Sequence, residues 1–218
     1  MENINSGAVS APFYACEDSD VIIVIGANPA INHPVAATFF KNAVKGGATL
    51  IVMDPRGQAL SRHATHMLQF KGGSDVALLN AIMHVIVEKG LYDENYITGF
   101  TEGFDDLKKH LKAFTPEDMS PICGVDPATI RTVAEVIGGA RSVMIFWGMG
   151  ISQHIHGTDN ARCLIALAMM TGQVGRPGAG LHPLRGQNNV QGASDAGLIP
   201  IVYPDYQPVD DPKAQEKF

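Results

Sequence analysis

Charge is scarce in this chain, and most of the short motifs that mark soluble enzymes are absent. Of 218 residues, 17% are Asp, Glu, Lys or Arg, and the formal net charge is −6. That acidic balance argues against a nucleic-acid partner. The three cysteines, Cys16, Cys123 and Cys163, are far apart and form no C-x-x-C pair. Their spacing therefore writes neither a zinc site nor an iron–sulfur site. An odd number of dispersed thiols suits a reducing compartment, so a cytoplasmic setting is expected. No basic stretch leading into an apolar run opens the sequence, which predicts no signal peptide. The apolar stretch Cys163 to Met170 is far too short to cross a bilayer, and no membrane insertion is expected. There is no G-x-G-x-x-G after the first strand, no G-x-x-x-x-G-K-[ST] and no G-x-S-x-G. The usual dinucleotide fingerprint, the P-loop and the hydrolase nucleophile elbow are thereby excluded. His154-x-His156 lacks a third or fourth ligand, and no metal site is predicted from these residues.

Apolar residues make up 45% of the sequence, enough for a substantial core. Val21-Ile22-Ile23-Val24-Ile25 is continuous, β-branched and closed by Gly26. Such runs belong to parallel sheets covered on both faces. Thr49 to Met53 and Ser142 to Trp147 read the same way, and Met67 to Phe70 reads as a short third strand. Helices are predicted from Pro34 to Lys45, from the capping pair Ser74-Asp75 to Lys89, from Asp126-Pro127 onward, and from about Thr158 to Met170. Leu91 to Phe114 reads as two short helices. From Gly172 to Gly197 the chain holds seven glycines and little periodicity. Tyr203 to Phe218 is rich in proline and charge, with no core of its own.

Alternating strands and helices predict an α/β fold: a three-layer α/β/α domain on an open, mostly parallel sheet. Ligands of such sheets bind beyond the carboxyl ends of the strands. The candidate site is therefore Gly26-Ala27-Asn28-Pro29, Asp54-Pro55-Arg56 and Gly148-Met149-Gly150 through Gln153. Asp54, just past the second strand, suits a ribose hydroxyl, or is an ordinary turn Asp before Pro. Gly72-Gly73-Ser74-Asp75 opens a helix. It could offer N–H groups to an anion, use Asp75 to accept from guanine N1 and N2, or serve only as a cap.

Arg185-Gly186-Gln187-Asn188-Asn189-Val190-Gln191-Gly192 packs a guanidinium, four carboxamides and two glycines around one apolar residue. That is a poor core strand. It is either a solvated turn or a site holding a small anion beside a polar cofactor. Arg gives a permanent, planar charge for a carboxylate, amides both donate and accept, and Gly admits close backbone approach.

These segments occur in one order: Gly26-Ala27-Asn28-Pro29 with His33-Pro34, Asp54-Pro55-Arg56, Gly73-Ser74-Asp75, Trp147-Gly148-Met149-Gly150 with Gln153, Leu184 through Gly192, and Tyr203-Pro204-Asp205-Tyr206. The series closely resembles the catalytic subunit of molybdenum- or tungsten-dependent formate dehydrogenases, members of the bis-molybdopterin-guanine-dinucleotide oxidoreductases. The resemblance covers nearly the whole chain, and the Arg185–Gly192 run is its most specific part. It implies oxidation of formate to carbon dioxide and two electrons. Arg185 would hold the formate carboxylate and Gln187 would hydrogen-bond at the pterin. Asn28, Asp54, Arg56 and Asp75 would hold a guanosine diphosphate arm. Pro55, Gly73, Met149, Gly150, Gln153 and Gly186 would complete the cofactor-binding set.

The family also carries a metal-ligating Cys or selenocysteine followed by His, and an N-terminal cysteine cluster for an iron–sulfur centre. Here Cys16 is followed by Glu17, and no Cys-His pair occurs. The expectation is an internal fragment, inactive alone. Residues 1–187 would form the nucleotide-binding domain and 188–218 would belong to a missing neighbour, loosely held or packed on another copy. The implied partners are formate, the rest of the catalytic subunit and electron-transfer subunits, with self-association of the fragment also expected. The rival reading is a stand-alone module that binds guanine nucleotides or pterin precursors without redox chemistry.

Overall fold

In the computed structural model of the chain, the described residues are 9–218. The β-branched run Val21–Ile25 forms β1, the middle strand of a five-stranded sheet. The chain then makes a short helix α1 (Pro29–Asn32), α2 (Pro34–Lys45), β2 (Thr49–Met53) and β3 (His66–Leu68). Five helices follow: α3 (Asp75–Glu88), α4 (Glu94–Phe100), α5 (Phe104–Leu111), α6 (Pro116–Cys123) and α7 (Pro127–Gly139). After β4 (Val143–Trp147) come α8 (Met149–Ser152), α9 (Gly157–Met170) and β5 (Gly180–Pro183). The chain divides into two compact units, the first ending at Leu184 and the second running from Arg185 to Phe218. The second unit holds α10 (Val190–Asp195), an antiparallel pair β6 (Val202–Tyr203) and β7 (Gln207–Pro208), and α11 (Pro212–Lys217).

Strand order is β3-β2-β1-β4-β5, with every neighbouring pair parallel. Ile25 lies opposite Met53 on one side and Trp147 on the other, so the strands end in step. All five carboxyl ends therefore share one edge. The order reverses between β1 and β4, which makes their ends the topological switch point.

Side-chain alternation sorts the strands into two cores. Ile23, Ile25, Ile51, Met53, Val143 and Ile145 pack with α3, α7 and α9 residues such as Leu79, Ile82, Ile130 and Leu164. Ile22, Val24, Leu50, Val52, Met144 and Phe146 pack with Phe40 of α2 and Cys16. The three-layer α/β/α expectation is thus borne out, because continuous apolar strands need cover on both faces. The helix starting at Asp126-Pro127 is also found: the Asp126 carboxylate accepts from Thr129 N at 3.1 Å.

Several elements differ from expectation. The third strand is His66–Leu68, and Phe70 is buried beyond its end. Ser74 does not cap α3 with its side chain: its hydroxyl turns back and donates to Lys71 O at 2.6 Å. The helix α6 was not foreseen, although Thr115 caps it by accepting from Asp118 N at 3.1 Å and Pro116 starts it. The strand β5 lies inside the glycine-rich stretch. It is a sheet-edge strand held by main-chain pairing to β4 and by Ser10 Oγ, which accepts from Leu181 N at 2.7 Å. Edge strands of this kind need little hydrophobic signal of their own.

Phe146 is fully buried and meets the rings of Phe40 at 4.7 Å, Phe13 at 5.1 Å and His182 at 5.0 Å. Truncating it would open a cavity between sheet and α2. Phe146→Ala is expected to cost about 3–5 kcal/mol of stability, read from urea denaturation as a lower midpoint at unchanged slope.

Candidate functional site at the strand ends

At the switch point two backbones touch. Gly150 N donates to Gly26 O at 3.0 Å, and a Cβ added at Gly150 would lie 2.5 Å from that oxygen. Gly26 itself takes φ +56°, and a Cβ there would meet Gly150 C at 2.9 Å. Only glycine fits both positions. The Gly150 N–H is thus engaged inside the fold. Met149 is half exposed, and Gln153, also exposed, ends α8.

Past β2, Asp54 is 2% exposed. Its Oδ1 accepts from Arg56 N at 2.8 Å and lies 3.6 Å from Arg56 Nε, while Oδ2 accepts from Gln58 Nε2 at 3.3 Å. Pro55 and the Arg56 side chain face solvent. The same Gln58 Nε2 donates to Ala27 O at 2.7 Å, tying the β2 turn to the β1 turn. Gln69 Nε2 donates to Pro55 O at 3.1 Å and ties in the end of β3. Two acceptors remain buried without a donor: Asn28 Oδ1 and Gln58 Oε1. Native structures leave few such atoms, so both acceptors call for a donor from outside the chain, a water or a ligand. Gln58 was not foreseen. Nothing in Arg56-Gly57-Gln58 signals that its amide is buried and bridges two strand ends.

Past β3, Gly73 has φ +82° and open space where a Cβ would be. It leads to Asp75, the first residue of α3, which is 2% exposed. Burial raises the Asp75 carboxyl above the ordinary aspartate value, opposed by its own backbone N–H and by His154 charge. A buried carboxylate at a helix start is well placed to accept from paired N–H donors.

Arg185, Gly186 and Gln187 open the second unit and are exposed. Within this unit Asn189, at φ +48°, caps α10 by accepting from Gly192 N at 3.3 Å. Gln191 Nε2 donates to Asp195 Oδ1 at 3.0 Å and to Tyr206 Oη at 3.1 Å. Two of the four carboxamides in this run thus shape the chain itself. The first unit brings Asn28, Asp54, Pro55, Arg56, Gly73, Asp75, Met149, Gly150 and Gln153 to one edge of its sheet.

Among the described residues no group of three or more His, Cys, Asp or Glu could hold a metal. Cys16 is fully buried, and its thiol is pushed up to about 12, chiefly by burial and then by Glu17. A cleft of about 780 Å³ lined by Ile97, Phe100, Phe104 and Met169 contains none of the predicted site residues. No described helix is long and apolar enough to cross a membrane.

A parallel sheet whose order reverses beside β1, with polar turns gathered at its carboxyl edge, defines an α/β domain of the doubly wound class. The particular family follows from comparison with known proteins. The Molybdopterin oxidoreductase family matches residues 1–216, and the chain belongs to that family. Formate dehydrogenase H of Escherichia coli is 44% identical over 217 residues, covering 100% of this chain and 30% of that protein. The F420-dependent formate dehydrogenase subunit alpha of Methanocaldococcus jannaschii is 43% identical over 206 residues, covering 94% of this chain and 31% of that protein. Among solved structures, acetylene hydratase from Pelobacter acetylenicus superposes with a TM-score of 0.70 at 27% identity, covering 75% of this chain and 22% of that chain. The chain thus spans about 30% of the length of the curated relatives it matches. Both of these curated relatives are oxidoreductases named formate dehydrogenase.

Two expectations follow. Gly150→Ala should destabilise the fold by about 1–3 kcal/mol, measured by chemical denaturation, because the new methyl must displace backbone rather than a flexible side chain. For Asp75, a raised folded-state value means the folded chain holds a proton that the unfolded chain has released. Stability is then lost as pH rises from the ordinary aspartate range through the raised value. Asp75→Asn should remove that loss, giving a higher Tm than wild type at neutral pH and a flatter Tm profile between acid and neutral pH.

Proposed function

We propose that this chain is the nucleotide-cradling part of a formate dehydrogenase catalytic subunit, within which formate is oxidised to carbon dioxide. The single observation carrying the cradle is the shared carboxyl edge, which holds the buried Asp75 past β3 and two donor-less acceptors, Asn28 Oδ1 past β1 and Gln58 Oε1 past β2. These residues fit the guanosine arm of a molybdopterin guanine dinucleotide. Asp75 accepts from guanine N1–H and N2–H. Asn28 and Asp54 face the sugar, Arg56 offers charge to the diphosphate, and Pro55, Gly73, Met149, Gly150 and Gln153 shape the surface. When bound, the pterin with molybdenum or tungsten supplies the two-electron chemistry, and the protein orients it.

Arg185 supplies a fixed positive fork for the formate carboxylate, while Gly186 and Gln187 meet the pterin. Formate as substrate is supported by the names of two relatives above 40% identity and by the Arg185–Gly192 run. An iron–sulfur cluster, the metal ligand, the remaining catalytic subunit and electron-transfer subunits lie outside this chain in our reading. Segment 188–218 packs on a neighbouring domain or, in the isolated chain, on a second copy. The three dispersed free thiols support a cytoplasmic setting.

Two measurements test this. Titration calorimetry of the chain with GDP and ADP should give guanine preference of about tenfold or more, abolished by Asp75→Asn, since a site built to accept base N–H groups rejects a base lacking them. Equal binding of both nucleotides overturns the guanine assignment. In the catalytic subunit carrying this segment, Arg185→Ala should lower formate-dependent dye reduction by at least about 100-fold in kcat/KM, with partial recovery in Arg185→Lys. Unchanged turnover overturns the role of Arg185. Guanine binding in a subunit that never oxidises formate would favour the stand-alone module instead.

A further inference from the structure

We propose that Gln58 is a specificity-determining residue of the cradle, which with Asn28 takes hydrogen bonds from the sugar hydroxyls of the bound nucleotide. The inference rests on the nucleotide reading above. Gln58 is 7% exposed, and its Nε2 faces two acceptors, Ala27 O at 2.7 Å and Asp54 Oδ2 at 3.3 Å. Neither partner can donate, so the amide orientation is fixed by its surroundings and Oε1 is the free end. That oxygen is buried and has no donor. Asn28 Oδ1 is in the same condition, one residue past the carbonyl that Gln58 clamps.

The buried side of this corner is one-sided. The Asp54 carboxylate, Gln58 Oε1 and Asn28 Oδ1 are all acceptors, so a phosphate group, itself an acceptor, would find its partner in the exposed Arg56 guanidinium at the rim and none among these three. A vicinal diol brings two O–H donors and leaves the clamp intact. The corner also lies where β1 and β2 end side by side, the place a ribose occupies in sheets of this order. The donor half of the Gln58 amide therefore sets the two turns, and its acceptor half reads the sugar.

The test is a cycle between one side chain and one feature of the ligand. The chain is titrated with GDP and with its 2′,3′-dideoxy form, as wild type and as Gln58→Met, which keeps length and removes the amide. Wild type is expected to bind GDP about tenfold more tightly than the dideoxy form, and Gln58→Met to bind the two within about twofold. Equal weakening of both ligands in Gln58→Met marks a clamp alone and overturns the proposal. Should Gln58→Met not fold, Gln58→Lys keeps a donor for Ala27 O and Asp54 without an acceptor, and the same loss of discrimination is expected. A wild type that binds GDP but ignores the hydroxyls overturns this inference and leaves the nucleotide reading standing. A wild type that binds no GDP overturns both.

Discussion

Backbone contact between Gly26 and Gly150 is the constraint on which the binding edge depends. Parallel strands bring their carboxyl ends together, but the turn leaving each strand must still avoid its neighbour. Here the β1 turn and the start of α8 meet with no side chain between them, joined by the 3.0 Å bond from Gly150 N to Gly26 O. Gly148 is under the same pressure, since a Cβ there would stand 3.0 Å from both Gly26 O and Ala27 Cβ. That contact fixes where Ala27 and Asn28 go. The Ala27 carbonyl then anchors Gln58, and Gln58 anchors Asp54. One close approach thus propagates from the switch point to the turn after β2.

The edge so formed is costly to the fold by itself. Buried acceptors without donors, and the burial of the Asp75 carboxylate, each oppose folding. The interior of the sheet offsets this with two continuous apolar cores. Stability and binding therefore draw on different residues. The groups that weaken the empty chain are those a ligand with hydroxyls and paired N–H donors would satisfy, which is the usual compromise of binding sites.

Fold and chemistry part company in the comparisons. A hydratase shares this architecture at a TM-score of 0.70, while the relatives at 44% and 43% identity are formate dehydrogenases. A cradle built from strand ends does not choose the reaction. In this chain the candidate substrate residues follow β5, in a segment where Asn189 caps α10 and Gln191 bonds Tyr206. Arg185 and Gln187 lie exposed at the start of the second unit.

The sequence by itself determined the layers. Val21–Ile25, Thr49–Met53 and Val143–Trp147 are apolar throughout, and only a sheet covered on both faces buries such runs. Their polar and glycine endings, together with Asp54, Asp75 and the Arg185–Gly192 run, made most of the candidate site legible. Local chemistry could also have revealed α6, since Thr115-Pro116 is a cap and a first-turn proline. What the tertiary structure alone decided are pairings between distant segments. The strand β5 exists because β4 and Ser10 supply its hydrogen bonds, so its own glycine-rich sequence carries no periodic signal. Gln58 became a candidate site residue because folding sets Ala27, far away in the chain, against its amide and buries what is left over. Ser74 lost its capping role because Lys71 O lay nearer to hand than the helix. Hydrophobic pattern is a local property and survives in the sequence, whereas the satisfaction of a buried polar atom depends on partners that only the folded chain brings within 3 Å or so.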